Sequence, residues 1–130
     1  MRGRRWLSEK GQATVEFAVV LPLLAAFLVA IVEGGIALNH YLTLTDAVRA
    51  GARAASAVAT QGPSAATAAA TQAMDDAAGG LALQDPQVTS PTWAAGDPVT
   101  VSASVPYSIS ILGVTIASGD LTSKTIQRAE

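Results

Sequence analysis

The chain has 130 residues, half of them apolar, with 14% charged residues and a formal net charge of −2. That length holds one small domain, or one small domain plus an anchor, and so apolar a composition excludes a charge-rich disordered tail. The slightly negative balance provides no field for holding a phosphate backbone, so nucleic acid is not an expected partner.

Several chemistries are also excluded. The absence of Cys removes thiol catalysis, disulfide staples and thiolate metal sites. A single His, His40, cannot build a His-based metal site or an acid–base pair. No nucleophile–base pair, phosphate-cradling Gly loop or metal-ligand spacing occurs. The expectation is a non-enzymatic protein with no catalytic residues, no cofactor and no metal.

At the N-terminus, Arg2, Arg4, Arg5 and Lys10 outnumber Glu9 and Glu16, so the first 16 residues carry a net +2. A charge-free run, FAVVLPLLAAFLVAIV, follows from Phe17 to Val32 and is bounded by Glu16 and Glu33. As a helix the run is about 24 Å long, and the wider Val15–Leu38 segment about 36 Å. The hydrocarbon core of a bilayer is roughly 30 Å thick, so the wider segment can span it. The basic block before the run orients the N-terminus to the cytoplasm and the rest outward. A buried core helix is the alternative, but the run is apolar all round and the remaining protein is too small to wrap it. Pro22 removes one backbone hydrogen bond, to Ala18, and favours a kink. Glu16 lies at the membrane edge, where a carboxylate is costly unless headgroups or a cation receive it.

From Lys10 the sequence reads KGQATVEF. A basic leader, a Gly, four residues and a Glu–aromatic pair opening an apolar helix resemble the processing site of type IV prepilins. GQATVEFAVVLPLL, together with DAVRAGARAASA at 46–57, resembles more narrowly the TadE-like family, minor pseudopilins of tight-adherence (Flp) pili. The resemblance covers residues 3 to about 60. It implies cleavage by a prepilin peptidase between Gly11 and Gln12, with Gly11 giving the protease close access to the backbone. It makes Glu16 the fifth residue of the mature chain, able to pair with the new α-amino group of Gln12 in its own or a neighbouring subunit, and Phe17 the aromatic that follows. The implied setting is the bacterial inner membrane, with lipid, other pilin or pseudopilin subunits and the pilus assembly machinery as partners in a homo- or hetero-oligomer. Two other readings use the same residues: an uncleaved single-pass anchor carrying an extracytoplasmic binding module, or a signal peptide cut after Ala37 to release a secreted domain.

Beyond the apolar run, residues 39–60 continue the helix, with Ala47, Ala50, Gly51, Ala54, Ala55 and Val58 on one side as a stripe of small residues. Such a stripe allows close helix packing, either in a bundle of subunits or against the chain's own sheet. Arg49 and Arg53 lie a turn apart, solvated or paired with acids of the head. Gly62 and Pro63 break the helix, and an Ala/Thr-rich second helix is expected over about Ser64–Ala78, with little to bury. Asp75 and Asp76 at its end are surface residues without assigned chemistry.

The last third changes period. Val99, Val101, Ala103 and Val105 alternate with Thr100, Ser102 and Ser104 as in a half-buried strand. Gln87–Trp93 reads as a strand before it, turning through Ala94–Pro98; Tyr107–Ile111 and Leu121–Arg128 read as strands after it. Trp93, Tyr107, Ile109 and Ile111 are expected to supply the core, and ISILGVTIA at 109–117 to be either a core segment or an exposed apolar contact loop. The expected fold is α+β: a leader over 1–11, a transmembrane segment over 12–38, its extra-membrane continuation over 39–60, and a head over 61–130. The head joins a short helix to a three- or four-stranded antiparallel sheet packed on the long one.

Overall fold

A computed structural model describes residues 5–130, with side chains from residue 11 onward; Arg2, Arg4 and the side chains of Arg5 and Lys10, on which the basic-leader expectation rests, lie outside that description. The order is α1 (Arg5–Val58), a 3-10 turn (Ala59–Gln61), α2 (Pro63–Ala77), β1 (Gln84–Thr89), β2 (Pro98–Ile111) and β3 (Val114–Arg128). The strands form one antiparallel sheet in the order β1-β2-β3. The expected α+β architecture is what the chain adopts.

α1 is continuous helix over 54 residues and passes through Pro22 without ending. Its two halves have opposite surroundings. Residues 11–25 are exposed on every side, whereas Leu44, Ala47, Val48, Gly51, Ala52, Ala55, Ser56 and Ala59 are buried. Those positions recur at intervals of three and four, the spacing of one helix face. They close a core with Ala66, Ala70, Met74 and Ala78 of the α2 region and with Val99, Val101, Ala103 and Val105 of β2.

The second helix starts at Pro63, whose missing N–H costs nothing at that position. It buries more than its composition suggested, because Gly51 allows α1 and α2 to meet almost backbone to backbone. A Cβ at Gly51 would stand 2.6 Å from Met74 Cγ and 3.1 Å from the Ala70 carbonyl oxygen. Small residues thus bury well here by closeness rather than bulk.

The sheet corrects three expectations. β1 runs from Gln84 to Thr89 rather than from Gln87 to Trp93; Trp93 has φ +59°, outside the extended region of a regular ladder. β2 runs unbroken through Pro106. β1 pairs with β2 only as far as Ser104, so Pro106 faces an open edge on that side, where no ladder bond is lost. Finally, Tyr107, Ile109, Ile111 and Trp93 are only half-buried, and the core belongs to the valines and alanines before them. The physical reason is reach: the second half of β2 extends past the head and meets one helix only.

β2 and β3 are joined by a two-residue turn at Leu112-Gly113, with Ile111 paired to Val114. Both turn residues have positive φ, +51° and +82°, the type I′ pattern whose twist matches the strands. Ser118-Gly119-Asp120, read as punctuation, lies inside β3. Gly119 is opposite Tyr107, whose ring lies 3.2 Å from where a Cβ would be.

The chain after β3 returns to α1. Ala129 N–H donates to the Asp97 carbonyl (2.8 Å), Gly96 N–H to the Ala129 carbonyl (2.9 Å), and Glu130 N–H to the Ser56 carbonyl (3.1 Å). The last bond satisfies one of the carbonyls that a helix end leaves without an intrahelical partner.

Candidate functional site

The first half of α1 is the part of the molecule whose surface its own fold does not explain. Thirteen large apolar side chains between Val15 and Leu38 are each 47–68% exposed. Among the described residues this helix alone contains a stretch long and apolar enough to cross a membrane, and none of that stretch is buried. Burying one Val, Leu, Ile or Phe contributes roughly 1.5–3 kcal/mol. Thirteen therefore represent some tens of kcal/mol, against the 5–15 kcal/mol that holds a typical domain together. Water is not a tolerable environment for such a surface, so lipid or other protein must cover it.

The residues singled out at its start are adjacent in space. Gln12 Nε2 donates to Glu16 Oε1 at 3.0 Å, across one helical turn. Glu16 is exposed, as are Phe17 beside it and Gly11 before it; nothing stands within 4 Å of where a Gly11 Cβ would be. The Gln12 backbone nitrogen is thus one turn from the Glu16 carboxylate. Pro22 is exposed within the same helix. Ala37, the alternative cleavage point, lies in the same unbroken helix as Gly11 and Gln12 and lines a hollow with Glu33, Ile36, His40 and residues 106–108.

The small-residue stripe divides. Ala47, Gly51 and Ala55 are buried in the chain's own core, while Ala50 and Ala54 are half-buried at its margin. Of the two uses open to this stripe, docking on the chain's own head is the one seen. Leu44, Val48, Ala52, Ser56 and Ala59 complete the buried face, and their i, i+3, i+4 spacing with Ala47 and Gly51 was the available signal. Arg49 pairs with Asp46 of the same helix (3.6 Å), both side chains being well exposed. Asp75 and Asp76 lie on the surface.

Nothing else converges on a reaction. Among the described residues, no group of three His, Cys, Asp or Glu is placed to hold a metal. His40 is half-buried beside Asn39, Thr43 and the Gly79-Gly80 turn. The Asp97 carboxyl is held below its ordinary value by the Thr92 hydroxyl and then by the Ala94 N–H, which donates at 3.3 Å. These bonds fasten the loop before β2, and the role is structural.

Residues 11–53 match the family model of TadE-like proteins, which bears out the resemblance drawn from the motif. No curated protein and no solved structure matches the chain. The matched segment opens at Gly11 and takes in both the bare apolar half of α1 and the start of its buried face.

Proposed function

We propose, from a chain whose residues 11–53 are TadE-like, that it is a pseudopilin-like structural subunit of a tight-adherence pilus or a related secretion filament. In this reading it waits in the bacterial inner membrane as a single-pass protein, with its N-terminus cytoplasmic and its head outside. A prepilin peptidase removes the leader between Gly11 and Gln12, and the subunit then joins other pilin-like subunits and the assembly machinery by helix–helix packing. It acts by assembly, not by catalysis.

The observation that carries this reading is a TadE-like helix whose residues 11–25 lie exposed on every side and whose large apolar side chains stay exposed as far as Leu38. A subunit that must exchange lipid for other subunits needs such a rod, apolar all round and long enough to span. The Gln12–Glu16 contact supports the proposed role of the acid. Once the leader is gone, Gln12 carries a charged α-amino group one turn from Glu16. A charge-assisted bond to that carboxylate, within the subunit or across to a neighbour, is stronger than the present amide bond. In an apolar surrounding it fixes register, because either partner left alone is a costly buried charge.

Intact mass of the membrane-extracted protein, co-expressed with a prepilin peptidase of such a system, tests the reading. The expected product begins at Gln12. A product retaining Met1 favours the uncleaved anchor, and one beginning near Leu38 the secreted domain; either defeats the processing claim. Glu16→Ala is expected to leave membrane insertion intact while impairing co-assembly, and normal co-assembly removes the pairing role.

A further inference from the structure

The β2–β3 hairpin does not stop where the head's core stops. Its course along α1 is fixed at two levels. Ala129 and Glu130 tie the start of β2 to Ser56, and Tyr107 shares a hollow with Ile36, Ala37 and His40. From Pro98 to Tyr107 a strand advances roughly 30 Å at about 3.3 Å per residue. From Ser56 back to Ala37 a helix covers roughly 29 Å at about 1.5 Å per residue. β2 therefore runs along α1, toward its N-terminal half. The five further residues to Leu112 take the turn about 17 Å on, to the level of about Ala26.

The burial of α1 gives the same answer independently. Residues 11–25 are all exposed, and the first half-covered positions are Ala26, Val29 and Ala30, followed by Glu33, Ala37 and His40. These share a helix face that continues into the buried stripe of the head.

The chemistry of the hairpin changes along its length. Near the head, its outer face carries Thr100, Ser102, Ser104 and Lys124. At the tip, Leu112, Val114 and Ile116 are 73%, 66% and 63% exposed. Ile116 stands in a bulge, opposite no residue of β2. Residues 98–119 contain no charge, and the Ser110 and Thr115 hydroxyls bond each other at 3.2 Å.

We infer that the hairpin tip is a second membrane contact of this chain, seated at the headgroup–acyl boundary on the side of the head. The inference rests on the proposed spanning role of α1. Twenty helical residues cover a core of roughly 30 Å; with Lys10 at the inner border they run from Gly11 to Ala30, which sets Glu16 about 8 Å inside the lipid rather than at its edge and leaves residues 31–38 among the headgroups. A tip level with Ala26 lies about 6 Å inside that border, within the depth at which apolar faces of interfacial elements settle. Deeper seating is disfavoured because the outer edge of the hairpin has unpaired backbone groups, which need water or headgroups. Two contacts also fix the direction in which the molecule tilts in the bilayer, which one helix cannot do.

The chain has no Cys, so single labels can be placed at will. The full-length protein, reconstituted in phosphatidylglycerol/phosphatidylethanolamine vesicles, is labelled with an environment-sensitive dye at Leu112→Cys or Ile116→Cys. Leu24→Cys reports on the span and Gln127→Cys on the upper part of β3. Quenching by nitroxide lipids is read over a range of protein-to-lipid ratios. The expected result is quenching and a blue shift at Leu24, Leu112 and Ile116 at every ratio, with neither at Gln127. Quenching at Leu24 with water-exposed labels at both tip positions overturns the hairpin contact and spares the span. Water-exposed labels at Leu24 and the tip together overturn the spanning role, and the hairpin contact with it. Shielding of the tip without lipid quenching, lost on dilution in lipid, makes a second copy the occupant and equally overturns the lipid contact.

Discussion

Gly51 is where the head is most sensitive to a single methyl group. In the middle of a helix, Gly→Ala normally stabilises by about 1 kcal/mol. Here the new Cβ would lie 2.6 Å from Met74 Cγ, 3.2 Å from its Sδ and 3.1 Å from the Ala70 carbonyl oxygen. Met74 is 1% exposed, so its side chain has no open space into which to rotate, and the Ala70 oxygen moves only if α2 moves. Overpacking of this kind costs about 1–3 kcal/mol, which outweighs or cancels the helix gain. The expected net effect of Gly51→Ala is a loss of up to about 2 kcal/mol, which lowers the midpoint by up to roughly 8–16 °C for a domain of this size. Met74→Ala removes the obstructing side chain and alone costs about 2–5 kcal/mol. In that background Gly51→Ala should become neutral or stabilising, giving a coupling of about 1–3 kcal/mol in a double-mutant cycle. Thermal unfolding of the detergent-solubilised chain, followed by circular dichroism, measures all four corners. A wild-type background that gains the full helix increment, with no coupling to Met74, refutes the close approach of α1 and α2.

Two further outcomes are expected. Asp97 has a lowered pKa in the folded chain, so its contribution to stability is complete above the ordinary value of 3.8 and disappears as pH falls through and below it; the protection of the Ala94 amide, its exchange rate relative to the intrinsic rate at the same pH, should fall on acidification in that window, and Asp97→Asn should show a protection that does not change across it. Leu112 holds φ +51°, a conformation that costs an L side chain roughly 1–2 kcal/mol and that Asn tolerates better, so Leu112→Asn should stabilise the hairpin turn by about 0.5–1 kcal/mol, seen as slower exchange of the Val114 amide; faster exchange contradicts the I′ turn.

The parts of the fold legible in the sequence were those with a strong local pattern. The charge-free run, the Gly62-Pro63 break and the Val99–Val105 alternation each placed an element, because each depends on neighbours in the chain. The burial of α2 was not legible: its alanines advertise propensity but not packing, and only the opposing Gly51 makes them a core. Trp93 and Tyr107 misled for the complementary reason. Large aromatics are good core candidates only where two layers enclose them, and here a tight turn and a strand overhanging the head left them half-covered. The Gly11–Glu16 motif was legible as a pattern, and its geometry adds that Gln12 and Glu16 already face each other. The hairpin tip was legible only as an ambiguity at 109–117, since the depth of a turn beside a helix depends on strand register.

The division of α1 bears on where other subunits could touch it. From Ala26 to Ala59 one face is covered by the chain's own hairpin and core, and the small residues Ala47, Gly51 and Ala55 are consumed there. In that stretch, the uncovered side of the helix is apolar as far as Leu42, with Phe27, Leu28, Ile31, Val32, Ile36 and Leu38 exposed, and beyond it carries Arg49, Arg53 and Ala57. Only the part beyond Leu42 is charged, and that part suits a peripheral polar contact rather than a tight seam. Below Ala26 the whole circumference is free and apolar, with Glu16 and Gln12 at its end. Close helix–helix packing in the proposed filament therefore falls on residues 12–42, all round the helix below Ala26 and on its uncovered side above it, with Glu16 placed to set register. The proposal is correspondingly narrow: a bulky polar residue at Leu21 or Leu24 should obstruct assembly more than one at Ala54, although Ala54 looked in the sequence like part of the packing seam.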